Sequence, residues 1–176
     1  MIEARIIDAA HQADVNIPNQ PFPLWGRMVV SRQNDQWSHT VEKLPANEIG
    51  EMCFPDEDYD FDEMSRDHTF IGAYDGETCV GLAIMQDYFF KYMYLLDLKV
   101  DGAYRGQGVG EILIEKAKKV ARDKGYRGIY TQGQDNNVSA CLFYLKRGFR
   151  IGGMDTEVYN GTSQEGKADI LFYLDI

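Results

Sequence analysis

The run LDLKVDGAYRGQGVGEILIEKAKKVARDKG, residues 96–125, decides how the rest of the chain is read. Its centre, Arg105-Gly106-Gln107-Gly108-Val109-Gly110, joins the end of an aliphatic strand to the start of a helix. Glycine lacks a Cβ, so backbone there can approach a ligand closely. The first N–H groups of a helix point outward with the positive end of its dipole, which makes an anion site. A phosphate group is the expected occupant. A dinucleotide fingerprint needs Gly or Ala three residues after its second Gly, where Glu111 stands, and no Lys-Ser/Thr pair follows as a P-loop requires. Both of those nucleotide readings fall away, leaving a phosphate loop of another kind or a plain tight corner. From Gly108 to Lys124, Val109, Ile112, Leu113, Ala117, Val120 and Ala121 recur on one helical face, and Lys118, Lys119, Arg122 and Lys124 gather before Gly125.

Working outward, β-branched and aromatic runs at Thr69–Tyr74, Cys79–Asp87 and Tyr92–Val100, with a turn at Asp75-Gly76, predict an antiparallel meander. Beyond the helix, Arg127–Thr131 reads as a strand and Asn137–Lys146 as a helix closed by Gly148; Phe149–Gly153 and Ile170–Leu174 read as strands. At the other end, Ile2–Asp8 reads as a strand. His11–Trp25, with Pro18, Pro21 and Pro23, reads as an extended loop with room for one helical turn. Asn34-Asp35 between Gly26–Arg32 and Gln36–Leu44 predicts a hairpin, and Asn47–Met52 a short helix. Strand, helix, strand, helix after a meander predicts an α/β (α+β) domain spanning residues 1–176, a mixed sheet with helices on both faces.

Arg105, Gly108 and Gly110 match the Arg/Gln-x-x-Gly-x-Gly/Ala pattern of the GNAT (Gcn5-related) N-acetyltransferases, which this chain resembles. Asn137-x-x-Ala140-x-x-x-Tyr144 followed by Gly148-Phe149 is similar to the family's second signature, in the expected order and at the expected distance. The resemblance covers about residues 69–153 and implies the acyl-CoA N-acyltransferase fold, a mixed, mostly antiparallel sheet of six or seven strands with helices on both faces and a splayed parallel strand pair, with acetyl-CoA as cosubstrate. It further implies that Leu98–Val100 pairs with the pantetheine arm, that Arg105, Gly106, Gln107, Gly108, Val109 and Gly110 hold the pyrophosphate, and that Asn137 binds a pantetheine amide. Tyr144 would stand beside the coenzyme sulfur as general acid. The run from Asp97 to Gly110, Gln134-Asp-Asn-Asn137, Cys141, Phe143-Tyr144 and Ile151-Gly-x-x-Asp155-Thr resembles the streptothricin acetyltransferase branch, which acetylates an amine of the antibiotic's β-lysine moiety.

The chain of 176 residues has 28 acids against 18 bases, a net charge of −10, which argues against a nucleic-acid binder because a phosphate backbone needs a cationic footprint. The charge is divided: residues 91–150 carry twelve Lys/Arg and six Asp/Glu, whereas no base occurs between Lys43 and Arg66. One stretch suits an anion and the remainder a cation. No apolar run reaches the roughly 20 residues that cross a bilayer, and Met1–Asp8 lacks a basic and then apolar leader pattern. Cys53, Cys79 and Cys141 are odd in number and form no CxxC pair, and three widely spaced histidines, His11, His39 and His68, offer no ligand set and read as surface or turn residues. A cytoplasmic protein with reduced thiols and no metal is expected, with no membrane partner; a homodimer stays open.

Acetyl transfer from a thioester to an amine needs a deprotonated nitrogen, a partner for the negative charge on the acetyl oxygen, and a proton for the departing thiolate. Asp97, set between Leu96 and Leu98 in a strand, could accept a proton through water or hold the acceptor's ammonium; the other readings are a carboxylate paired with an Arg or pointing to solvent. Main-chain N–H near Leu98 would meet the oxyanion. Asn137 would also cap its helix. Cys141 has no His nearby in sequence to activate it and reads as a core residue. Six of the eight residues from Asp56 to Glu63 are acidic, and Asp56, Glu57, Asp58 and Asp60, interleaved with Tyr59 and Phe61, offer countercharge and aromatic faces to a cationic acceptor. A solvated loop is the other reading of that segment. The expected activity is direct transfer in a ternary complex to a cationic small-molecule amine, streptothricin first. The alternatives are a polyamine, an aminoglycoside or a protein amine, or a sensor that binds acyl-CoA without turnover.

Overall fold

The computed structural model describes residues 1–176, which fall into two compact units. The first comprises Met1–Gln20, Cys53–Ile129 and Ile176; the second comprises Pro21–Met52 and Tyr130–Asp175.

In the chain, strands β1 (Ile2–Ile6), β2 (Phe22–Leu24), β3 (Gly26–Gln33), β4 (Gln36–Lys43) and β5 (Gly50–Met52) precede the short helix α1 (Phe61–Met64). Then come β6 (His68–Asp75), β7 (Thr78–Gln86), β8 (Tyr92–Val100), helix α2 (Val109–Asp123), β9 (Gly128–Gln134), helix α3 (Val138–Lys146), β10 (Arg150–Asp155) and β11 (Asp169–Asp175). Strands β1, β6, β7 and β8 of the first unit and β9, β10 and β11, which lie mostly in the second, number seven, within the six or seven expected.

In the first unit, β1, β6, β7 and β8 lie side by side and every pairing is antiparallel. The predicted meander is therefore present, extended on one edge by β1. Helix α2 covers one face, with Val109, Leu113, Ile114, Ala117 and Ala121 buried. Ile114 thus joins the buried stripe, and Ile112 and Val120, expected there, sit at its partly exposed margin. On the opposite face Phe70, Leu82 and Ile84 form a core with Ile7 and Val15, against which Tyr59, Phe61, Met64 and Leu96 pack. The loop expected at His11–Trp25 contains a 3₁₀ stretch, Ala9–Asn16, which supplies Val15 to that core, and then β2 in the second unit.

The register between β7 and β8 changes within β8. Met85 pairs with Leu95, but Ile84 pairs with Asp97, so Leu96 is an extra residue. A bulge of this kind re-aims every side chain beyond it. Asp97 and Lys99 consequently lie on the face of Ile84 and Leu82, away from α2.

In the second unit the predicted hairpin forms from β3 and β4, with Asn34 and Asp35 at φ 50° and 62°, the left-handed conformation a two-residue turn demands. Asn47–Met52 is not a helix. A 3₁₀ turn at Ala46–Glu48 ends at Ile49 with extended backbone, and Gly50–Met52 pairs antiparallel with Phe22–Leu24. Pairing with a distant strand outweighs local helical preference over so few residues. Strands β9, β11 and β10 lie in that order, and α3 packs on β2, β3 and β10.

Candidate functional site

Between β8 and α2, Asp101 caps a 3₁₀ turn at Gly102–Tyr104 by accepting a hydrogen bond from Ala103 N at 2.8 Å. Arg105 Nε donates to Val100 O at 3.3 Å and Gln107 Nε2 to Ala103 O at 2.7 Å, so both side chains brace the loop. Gly106 and Gly108 take φ of 74° and 85°, which other residues adopt only under strain, and a Cβ at either would meet no protein atom within 4 Å. The two glycines thus serve the backbone conformation and leave the space above it clear. Helix α2 makes its first ladder bond from Ile112 N to Gly108 O at 3.0 Å, so the N–H groups of Val109 and Gly110 lie ahead of the ladder. The Val109 side chain is itself core, leaving its main chain as what it offers a ligand. A glycine loop with clear space, leading into the N-terminus of a 15-residue helix, fits the pyrophosphate of a coenzyme. Upstream, Leu96, Asp97, Leu98, Lys99 and Val100 are each partly exposed, whereas Ala83 and Ile84 opposite them are buried.

Asp97 is not alone on its strand. Lys99, two residues on and on the same face, places Nζ 3.2 Å from Asp97 Oδ2 and 2.8 Å from Glu57 Oε2, and it donates to Ile17 O at 3.4 Å. Tyr59 donates its hydroxyl to Asp97 Oδ2 at 3.2 Å, and its ring centre lies 5.7 Å from Lys99 Nζ. Burial pushes the Asp97 carboxyl above its ordinary value, and Lys99 only partly offsets this. Burial works against the Lys99 charge too, but Asp97 and Glu57 outweigh it and hold the ammonium above its ordinary value. Glu57 is moved the other way: its hydrogen bonds from Lys99 and Asn19 outweigh burial and favour the carboxylate. The Tyr59 phenol is pushed far up by burial and by Asp97, so it stays protonated and donates.

The acidic segment is held rather than loose. Asn16 brackets Tyr59 with two bonds, Nδ2 to Tyr59 O at 2.9 Å and Tyr59 N to Oδ1 at 2.7 Å. Asn19 donates its N–H to Asp56 Oδ1 at 2.6 Å and its amide to Pro55 O at 2.8 Å and Glu57 Oε2 at 2.9 Å. Of the four acids read as acceptor-binding, Glu57 alone joins Asp97. Asp56 is spent on Asn19, Asp60 caps α1 by accepting from Glu63 N at 2.9 Å, and Asp58 points into solvent. Tyr59 was read in the sequence only as an aromatic face and Lys99 was not singled out, although an Asp-x-Lys spacing on a strand puts both side chains on one face.

In the second unit, Asn137 caps α3, its Oδ1 accepting from Ala140 N at 3.3 Å. Tyr144 is buried, its ring 5.3 Å from those of both Phe149 and Phe172. Cys141 is fully buried and burial pushes its thiol up to about 12, which agrees with a core residue and not a nucleophile. Asp135 ties several segments together: it accepts from Arg27 Nε at 2.8 Å, its carbonyl accepts from Met28 N at 2.8 Å, and its N–H donates to Ala168 O at 2.9 Å. His39 is exposed on β4, a surface residue as expected, whereas the His68 side chain on β6 is only 8% exposed because its ring packs beside Phe70.

The model of the Acetyltransferase (GNAT) family matches residues 33–149. The chain belongs to the GNAT family. It is an acetyl-CoA-dependent acetyltransferase of GNAT type, and its fold is the GNAT fold. It is 31% identical over 160 residues to streptothricin acetyltransferase A of Bacillus subtilis (strain 168), covering 91% of this chain and 92% of that one. A crystal structure from Bacillus anthracis str. Ames, provisionally named a streptothricin acetyltransferase and solved in complex with acetyl coenzyme A, superposes with a TM-score of 0.89 at 28% identity over the full length of both chains. A nourseothricin acetyltransferase shares the fold at a TM-score of 0.80 and 21% identity, over 99% of this chain and 98% of that one. No helix of this GNAT chain is long and apolar enough to cross a membrane.

Proposed function

We propose that this acetyltransferase acts on an amine of a polycationic small molecule, with streptothricin, through its β-lysine amine, as the first candidate. The observation that carries the proposal is the group of Asp97, Glu57, Tyr59 and Lys99, in which two carboxylates share one ammonium beside the strand end that leads into the coenzyme loop. A partly buried site with one negative charge in excess favours a cation. The similarity to streptothricin acetyltransferase A supports the particular acceptor.

In this reading acetyl-CoA supplies an activated acetyl group as a thioester. The loop from Arg105 to Gly110 holds its phosphates through main-chain N–H groups and the α2 dipole, while Leu98 and Val100 offer strand main chain to the pantetheine arm and Asn137 its amide. Asp97 anchors the acceptor's ammonium and takes up its proton, directly or through water, so that the free amine attacks the acetyl carbon. Main-chain N–H near Leu98 meets the charge that develops on the acetyl oxygen. As the tetrahedral adduct collapses and its C–S bond breaks, Tyr144 gives a proton to the leaving sulfur and is reprotonated by the proton that the new amide nitrogen sheds; a phenol is a weak acid, and a desolvated thiolate is basic enough to take its proton. Both substrates are bound when transfer occurs, since the buried Cys141 offers no covalent relay.

Thiol release from acetyl-CoA, followed with streptothricin, spermidine, an aminoglycoside and a lysine-containing peptide as acceptors, tests this reading. Turnover highest on streptothricin, with one acetyl added at the β-lysine amine by mass spectrometry and intersecting initial-rate lines, is the expected result. Turnover confined to another acceptor overturns the choice of antibiotic.

A further inference from the structure

Asp97 uses its two oxygens unequally. Oδ2 accepts from both Lys99 and Tyr59, whereas Oδ1 accepts no hydrogen bond, and the side chain is 17% exposed. Lys99 has three donors, which point to Glu57, Asp97 and the carbonyl of Ile17, so its ammonium is fully engaged within the protein. Its own side chain is only 9% exposed. Tyr59 is held in place from behind by the two bonds between Asn16 and its main chain.

We propose that Lys99 and Tyr59 are positioning residues for the acetyl acceptor: they tie one oxygen of Asp97 so that the other is presented to a single ammonium group. This rests on the reading that Asp97 meets the acceptor. The charges set the stoichiometry. Asp97 and Glu57 bring two negative charges, Lys99 returns one, and Tyr59 is neutral, so one cation completes the group. A neutral acceptor would leave the excess charge uncompensated, and an anionic one would be repelled. Lys99 therefore acts as a fixed partial counter-ion. Without it, repulsion between the two carboxylates in a partly buried place would favour their protonated forms and weaken their hold on a cation as pH falls. The charged and titratable groups around Asp97 are Lys99 on its own strand and Glu57 and Tyr59 on the acidic segment, with Tyr94 of β8 beside Tyr59. The remaining neighbours on that face, Ile84 and Leu82, are apolar.

The test compares wild type with Tyr59→Phe, Lys99→Met and Lys99→Arg by two measurements. The first is the KM for streptothricin at pH 6 and pH 8.5. In Tyr59→Phe and Lys99→Met it should rise several-fold at pH 6, because losing a hydrogen-bond donor or a counter-ion favours the protonated form of Asp97. At pH 8.5 the increase should be much smaller, with KM changing more than kcat at both pH values. Lys99→Arg, which keeps the charge, should recover most of the loss seen in Lys99→Met at pH 6. The second measurement needs no acceptor turnover: the Asp97 carboxyl carbon is titrated by NMR in the folded proteins, with and without n-propylammonium. Titration should move upward in Tyr59→Phe and Lys99→Met, recover in Lys99→Arg, and move downward when propylammonium is added to wild type. If streptothricin is not acetylated, the proposed acceptor fails and the NMR titration alone decides this inference. Identical Asp97 titration in all four proteins, a wild-type signal that ignores propylammonium, or a KM increase equal at both pH values overturns it.

Discussion

Lys99 and Glu57, 42 residues apart in the chain, meet with Nζ 2.8 Å from Oε2. That contact fastens the acidic segment to β8, with Asn19 bonded to the same Glu57 oxygen. Glu57→Gln should loosen residues 55–59 without unfolding the sheet, at a cost of about 1 kcal/mol for a partly exposed pair. Amide hydrogen exchange across Pro55–Tyr59 should quicken while that of β6 and β7 stays slow. Unchanged exchange in the segment would mean that Asn16 and Asn19 suffice to hold it.

Gly108→Val tests the coenzyme loop. The new side chain has room within the protein but must adopt φ near 85°, which costs roughly 1–2 kcal/mol for a residue with a Cβ. It also fills the space assigned to pyrophosphate, so acetyl-CoA affinity by calorimetry should fall at least about tenfold, with the folded state retained. A folded variant with native affinity would place the coenzyme elsewhere.

Tyr144→Phe keeps the ring packed between Phe149 and Phe172 and removes the proton. The kcat should drop by roughly 10- to 1000-fold, with thermal stability close to wild type. Wild-type turnover would make Tyr144 a core residue alone.

Asp58 and Asp62 are exposed and take no part in the Lys99 group, so they test long-range attraction separately from local contact. Changing both to Asn should raise the KM of a polycationic acceptor modestly and flatten its dependence on ionic strength, because screened attraction is what has been removed. The KM for acetyl-CoA should hold. A salt dependence identical to wild type would leave these two acids as ordinary surface charge.

The buried Cys141 thiol, raised from its ordinary 9.0 to about 12, predicts an alkaline instability. Between those values the unfolded chain loses the thiol proton and the folded chain keeps it, so the stabilisation is complete below pH 9 and fades as pH climbs toward 12. Denaturant melts of wild type and Cys141→Ala between pH 8 and 11 should converge as pH rises. At pH 8, iodoacetamide should label the exposed Cys53 and spare Cys141 in the folded protein.

The elements that the sequence declares on its own are those whose signals are local. The glycines of Arg105–Gly110 need no partner to announce a backbone that other residues resist, and α2 follows from the 3.6-residue spacing of Val109, Leu113, Ala117 and Ala121. Asn34-Asp35 between two β-rich runs is as self-contained, and so is the Asn137 cap. Gly50–Met52 could not be read in this way, because its strand exists through pairing with Phe22–Leu24. The candidate site was legible as Asp97 plus an acidic segment but not as a group of four, since Lys99, Glu57 and Tyr59 are joined by chain reversal through Asn16 and Asn19. Which way Asp97 faces was decided in the tertiary structure alone. In unbroken register with Met85 and Leu95, it would stand opposite Ala83, beneath α2; one extra residue at Leu96 places it opposite Ile84 instead. Side chains alternate along a strand with a period of two, so a single added residue reverses every face beyond it, and nothing in the alternation of residue types from Leu95 to Val100 marks where that residue enters.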